Sequence, residues 1–135
     1  MTALELVDQE LGSTELWDER GAVLWLPVDA AKVRKLAAVM NDCRARFVTI
    51  TATQLPGDEG LLLEYLWDLE GKLLGFSIHP AGNSIESIFD VCPAVDWIER
   101  EIHEGFAMEF AGRVYEPLLL RAGDKPGVNL REVPA

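Results

Sequence analysis

From Phe47 onward the hydrophobic pattern of the chain has a period of two, and this stretch restricts the fold more than any other. Val48, Ile50 and Ala52 alternate with Thr49, Thr51 and Thr53, which predicts a strand with one polar face that is wet or paired with other polar chains. The Pro and Gly of Leu55-Pro56-Gly57-Asp58 then make a turn. Over residues 61–69, Leu61, Leu63, Tyr65, Trp67 and Leu69 share one face of a strand, and Leu62, Glu64, Leu66 and Asp68 share the other. Glu70-Gly71-Lys72 closes a hairpin onto residues 73–78, and His79-Pro80-Ala81-Gly82-Asn83 turns the chain into a strand over 84–91. Consecutive strands joined this tightly must pair antiparallel, because a parallel return needs about a dozen residues or more.

Helical spacing flanks this region. Leu4, Val7 and Leu11 predict a short amphipathic helix over 3–11 that stops at Gly12. Residues 22–28, Ala-Val-Leu-Trp-Leu-Pro-Val, are β-rich, and Pro27 suits an edge or a strand end. Asp29 is placed to cap a helix over 30–41, where Val33, Leu36, Ala37 and Met40 fall at i, i+3, i+4 and i+7. Lys32, Arg34, Lys35, Arg44 and Arg46 make this region locally basic, either as a solvated face or as a patch for an acidic partner.

Within residues 90–110, a helix would place Val95, Ile98, Ile102 and Phe106 on one side, with Trp97, Arg100 and Glu104 opposite. Pro93 suits its first turn, and Asp96 with Glu99 resembles an acidic capping box. A tryptophan on the charged side is either covered within the chain or serves as an anchor for a partner. The expected fold is α+β: a mostly antiparallel sheet of about four or five strands with the two main helices on one face. Without an internal repeat or low-complexity linker, residues 1–135 read as a single domain, with 108–135 as an extended C-terminal tail.

Charge and composition exclude several functions. The 23 acidic residues against 12 basic give a net charge of −11, which repels nucleic acid and anionic lipid. Cys43 and Cys92 are too few and too far apart for a disulfide framework or a four-cysteine cluster, so reduced thiols are expected. No stretch approaches the roughly 18 apolar residues needed to span a bilayer, and the acidic start lacks a signal peptide's positive flank, so membrane association is expected only through a partner.

No phosphate loop, nucleophile elbow or metal-ligand cluster is present. Glu99 and His103 lie four apart, but a metal needs at least a third ligand, and His79 sits in a turn before Pro80. Neither cysteine has a neighbour that would activate it as a nucleophile. Glu99, Glu101 and Glu104 beside Arg100 read first as helix ion pairs, with Arg100 and Glu104 at i, i+4. No catalytic, cofactor-binding or metal residue is assigned.

Ser87-Ile88-Phe89-Asp90-Val91-Cys92-Pro93-Ala94-Val95-Asp96-Trp97-Ile98-Glu99-Arg100-Glu101-Ile102 resembles the signature of the complex I 30 kDa subunit, a hydrophilic component of NADH:quinone oxidoreductase (NADH dehydrogenase). That pattern runs Ser-x-x-Asp, a nearby Pro, then Trp-x-Glu-Arg-Glu and an acidic position before Phe-Gly. Ser87, Asp90, Pro93, Trp97, Glu99, Arg100, Glu101, Glu104 and Phe106 fall on it, and the likeness covers residues 47–131. Three positions depart: Ala107 follows Phe106 where the family has Gly, His103 replaces an aromatic, and Gly105 replaces a larger apolar residue. The family's His-Pro-Asp-Leu-Arg stretch is replaced by residues 112–120, which look more like the related domain of energy-converting NiFe hydrogenases and formate hydrogenlyase. Residues 124–131 are loosely similar to the family's closing Gly-x-Pro-Leu-Arg.

The resemblance implies a scaffold subunit that binds no cofactor itself. Its implied partners are a hydrogenase-like large subunit and iron–sulfur subunits, in an arm on the cytoplasmic side of the inner membrane. Trp97 and Phe106 would be apolar anchors, Arg100 with Glu99, Glu101 and Glu104 an ionic network, and residues 113–120, including Arg113 and Leu118, a tail lying across the partner. When isolated, such a chain would tend to self-associate. The other readings are a free-standing α+β regulatory or binding module forming a homo-oligomer, and a small enzyme using Glu99, His103 and Glu104.

Overall fold

The computed structural model describes residues 2–13, 16–121 and 123–131. In chain order the elements are α1 (Ala3–Leu11), β1 (Asp18–Arg20), β2 (Val23–Pro27), α2 (Val33–Asp42), β3 (Arg46–Gln54), β4 (Leu61–Leu69), β5 (Lys72–Ile78), β6 (Ser84–Glu86), α3 (Asp96–Phe106) and β7 (Glu109–Ala111). One-turn 3-10 segments, Ala30–Lys32 and Pro93–Val95, lead into α2 and α3. The main sheet has the order β1-β2-β5-β4-β3, and β6 with β7 forms a separate two-stranded ribbon.

The α+β architecture agrees with the sequence. Strands β3, β4 and β5 form an antiparallel meander, as their short turns require. Glu70 and Gly71 both have positive φ, 52° and 88°, which matches the twist of the β4–β5 hairpin, and Asp68 Oδ1 accepts the Gly71 N–H at 2.9 Å. β2 then joins β5 in parallel, which the longer connection between them allows. β2 is therefore an interior strand, and Pro27 occupies its last position.

Along β4, Leu61, Leu63, Tyr65, Trp67 and Leu69 are all buried, alternating with half-buried residues. Leu26, Ile50, Leu74, Phe76 and Ile78 extend this apolar face, and Val7 and Leu11 of α1, Leu36 and Met40 of α2, and Ile102 of α3 join the same core. Each such side chain contributes about 1.5–3 kcal/mol when buried. Trp67 meets Phe47, Tyr65 and Phe76 at ring-centroid distances of 5.5, 6.1 and 5.9 Å. Gly75 is required here, because a Cβ at that position would lie 2.5 Å from the Trp25 ring.

Local signals set the helix ends with small shifts. Thr2 and Glu5 form a capping box for α1, and Gly12 closes it at φ 62°. Asp29 does cap, accepting the Ala31 N–H at 2.9 Å, but it caps the 3-10 turn, and the α-helix proper begins at Val33.

Two strand expectations need correction. A bulge between Phe47 and Thr49 lets Phe47 pack on Trp67 and turns Val48 outward to 39% exposure. Of residues 84–91 only Ser84–Glu86 is a strand, and it pairs in parallel with β7 instead of extending the main sheet. Ser87 and Asp90 then bond to side chains from other elements, so the backbone turns away there.

Candidate functional site

The site is the outer side of α3 with the segments that wrap it. Pro93 opens the 3-10 turn before α3, where its missing N–H is not needed. Asp96 and Glu99 do not form the expected capping box, since α3 has no side-chain cap and Glu99 points inward. The inner stripe passes through Val95, Glu99 and Ile102, and Ile98 is only half-buried. A carboxylate thus stands where the hydrophobic pattern called for an apolar residue.

Glu99 is fully buried and fully engaged. Its Oε1 accepts the Ser87 hydroxyl at 2.6 Å and Arg113 Nη1 at 3.1 Å, and its Oε2 accepts the Ile88 N–H at 3.1 Å. Burial pushes the Glu99 carboxyl above its ordinary range, and these three donors only partly oppose it. Arg113 also pairs with Asp96. Burial works to lower the Arg113 pKa, but the hydrogen bonds and charges of Asp96 and Glu99 outweigh it and raise the value.

Arg100 pairs with Asp96 Oδ2 at 3.4 Å, one turn back, and lies 5.6 Å from the centroid of the Trp97 ring. The expected Arg100–Glu104 pair is absent among the described residues, because Glu104 has stronger partners. Its carboxylate accepts the N–H groups of Leu118, Leu119 and Leu120 at 2.8, 2.8 and 3.0 Å. Burial would raise the Glu104 pKa, but these N–H bonds win and hold it below the ordinary range.

The C-terminal carbonyls of α3, orphaned in any helix, are taken up by the same tail. Glu104 O accepts the Gly127 N–H at 2.8 Å, and Gly105 O accepts the Asn129 N–H at 2.7 Å. A Cβ at Gly105 would lie 2.7 Å from Asn129 Nδ2, so a larger residue would displace the Asn129 side chain. Ala107, by contrast, occupies the left-handed C-cap at φ 55°, a conformation that favours glycine.

The metal and enzyme candidates are committed elsewhere. The His103 ring stacks on Tyr115 at 3.9 Å, and its Nδ1 lies 2.9 Å from Met108 O, while Glu99 faces Ser87 and Arg113. Among the described residues no group of three or more His, Cys, Asp or Glu side chains is placed to hold a metal. Burial raises the thiols of Cys43 and Cys92, which weakens them as nucleophiles.

Most of the sequence's interface residues remain at or near the surface. Trp97 is 62% exposed, Glu101 is exposed, Arg100, Phe106, Arg113 and Leu118 are half-buried, and Glu99 and Glu104 are interior. Beside them, Phe89, Val114 and Leu119 are apolar and exposed. Met108 and Phe110 are wholly buried, so the chain after α3 first returns to the core before running outward. Three of the five basic residues near α2 have side-chain partners: Arg34 forks onto Asp90 at 2.6 and 2.8 Å and donates to Ser87 O at 3.0 Å, Arg46 meets Asp68 at 3.2 Å, and Lys32 Nζ reaches Leu11 O at 2.5 Å.

Sequence reasoning missed Arg113 and Ser87 as partners of Glu99, and the 118–120 backbone as partner of Glu104. No short-range signal announced either. The unexpected carboxylate on the apolar stripe of α3 was the one available hint that a buried counter-charge must exist.

The family described as "Respiratory-chain NADH dehydrogenase, 30 Kd subunit" matches residues 26–132, reaching well before Phe47 to include the end of β2 and all of α2. The chain is 31% identical over 98 residues to a curated NADH-quinone oxidoreductase subunit of Rhodopseudomonas palustris (strain BisB18), a match covering 66% of this chain and 49% of that protein. It thus spans about half the length of that curated relative. Among solved structures, Nqo5 in a trypsin-resistant fragment superposes with a TM-score of 0.67 at 15% identity, covering 82% of this chain and 97% of that one. One component of the membrane-bound sulfane sulfur reductase, an archaeal respiratory membrane complex, superposes with a TM-score of 0.72 at 21% identity, covering 93% and 79%. No helix among the described residues is long and apolar enough to cross a membrane. The chain belongs to the family of the respiratory-chain NADH dehydrogenase 30 kDa subunit.

Proposed function

We propose that this chain is a non-catalytic scaffold subunit of a complex I-like NADH:quinone oxidoreductase or an energy-converting hydrogenase. It docks the hydrogenase-like large subunit beside the iron–sulfur subunits of an arm on the cytoplasmic side of the membrane. The observation that carries the reading is Trp97, a 62%-exposed tryptophan on a helix of this family's fold. Such a side chain in water is unfavourable, and tryptophan and arginine are the residues that dominate interface energetics.

The neighbouring charges support this assignment. Glu99 and Glu104 are satisfied inside the chain, so their work is to hold Arg113 and the 118–120 segment in place. Trp97, Arg100 and Glu101 then meet the partner directly, with Phe106, Arg113 and Leu118 at the edge of the contact. A pre-set surface reduces the ordering cost of association.

The test is affinity purification of the tagged chain from its native cells, with mass spectrometry and metal analysis. A hydrogenase-like large subunit with iron is expected, and nickel would identify the hydrogenase. Recovery of the chain alone as one discrete oligomer would overturn the scaffold reading in favour of a free-standing module. Trp97→Ala should leave stability within about 0.5 kcal/mol and weaken partner retention by about 2 kcal/mol or more.

A further inference from the structure

Between the start of α3 and the segment after β7 lies a cavity of about 420 Å³, lined by Phe89, Asp96, Arg100, Arg113, Val114 and Glu116, with Gly112 at its wall. Arg100 and Arg113 are both among its lining residues, and behind the cavity wall Arg100 Nε and Arg113 Nε are buried without a hydrogen-bond partner. The Arg113 side chain is 7% exposed and that of Arg100 14%, so water is largely excluded from both. Asp96 is shared by the two arginines, and among the described residues it is the only carboxylate within ion-pair distance of Arg100. Glu99 meets Arg113 from the interior side. Arg113 lies 4.6 Å from the Phe89 ring centroid and Arg100 5.6 Å from that of Trp97, so aromatic faces fix both forks.

Arg100 has five N–H donors and, among the described residues, one ion-pair partner, Asp96 at 3.4 Å, so beside the exposed aromatics it keeps donors for an acceptor from outside the chain. A carboxylate suits the fork geometry of arginine. A phosphate brings more charge beside Asp96 and Glu116 in a chain of net charge −11, and is disfavoured.

We propose that the cavity between Arg100 and Arg113 receives an Asp or Glu side chain of a partner protein, whose neighbouring apolar residues pack on Phe89, Trp97 and Val114. This rests on the docking reading above and adds the chemistry of the contact.

The complex purified from native cells is stripped of this chain and re-bound with variants. Arg100→Ala is expected to weaken re-association about thirty-fold or more, since it leaves the partner's buried carboxylate facing only Arg113, which Asp96 and Glu99 already engage. Removing the rim carboxylate by Glu116→Gln is expected to tighten it about two-fold or more, because one repulsive charge disappears. In Arg100→Lys, treatment with a carbodiimide is expected to form a zero-length amide between the lysine introduced at position 100 and an acidic residue of the partner, found by mass spectrometry. Re-association with no such inter-chain link, or unchanged by Arg100→Ala, would overturn the carboxylate contact while leaving docking intact. Failure of the unsubstituted chain to re-associate at all would overturn both.

Discussion

The two halves of the molecule hold together by different chemistry. The half built from β2 to β5 with α1 and α2 is an apolar core in which Trp67, Tyr65 and Phe76 are buried with aliphatic neighbours. The half built from α3, β7 and the following segment shares that core through Ile102, Met108 and Phe110, and adds to it two buried carboxylates, Glu99 and Glu104, each with three donors. The first kind of core tolerates conservative exchange, because dispersion and hydrophobic burial have no fixed direction. The second does not, because every buried charge depends on partners at set positions. The surface that exposes Trp97 and Glu101 is therefore backed by the less forgiving half.

On this contrast, Glu99→Ala should cost about 3–5 kcal/mol in chemical denaturation, since it strands Arg113 without one of its two carboxylates. That equals the expected cost of Trp67→Ala, also about 3–5 kcal/mol. A loss under about 1 kcal/mol for Glu99→Ala would break the contrast between the halves. Glu104→Ala removes the acceptor of three backbone N–H groups and should cost about 1–3 kcal/mol. Hydrogen exchange should then show lost protection over residues 118–120 and none lost in β4.

The two carboxylates should also have opposite pH signatures. Glu104 is held below its ordinary pKa of 4.5 when folded, so the unfolded state binds more protons; its contribution is present above pH 4.5 and is lost as pH falls. Glu99 is raised above 4.5 when folded, so the folded state binds more protons; its contribution is present at low pH and declines as pH rises from 4.5 through the raised value. Stability curves for Glu99→Gln should be flatter above pH 4.5, and those for Glu104→Gln flatter below it. The smallest effect is a gain: Ala107→Gly relieves the left-handed C-cap and should stabilise by about 0.5–1 kcal/mol in thermal melts.

Legibility in the sequence divides along the same line. The faces of β4, the core positions of α2 and the stop of α1 at Gly12 follow from periodicity and local backbone preference, so they could be read without the fold. Val48 could not, because the bulge answers to Trp67 on the neighbouring strand. Nor could the parallel β2–β5 pair, whose partners lie far apart in the chain. In the site, Trp97, Arg100 and Glu101 were named through a family resemblance, but the roles of Ser87 and Asp90 were hidden. Their tie to Arg34 spans 53 and 56 residues, beyond any local pattern. Glu99 was misread because a helix-local cap was the nearest explanation for an acidic residue in a first turn.

A docking face centred on α3 is tested most directly by hydrogen–deuterium exchange of the chain alone against the chain in the complex recovered from native cells. New protection is expected to concentrate in residues 87–100 and 112–120, with β5 and α2 unchanged. Equal exchange of residues 87–120 in the two states, or new protection confined to α1 and α2, would contradict a partner contact on this face.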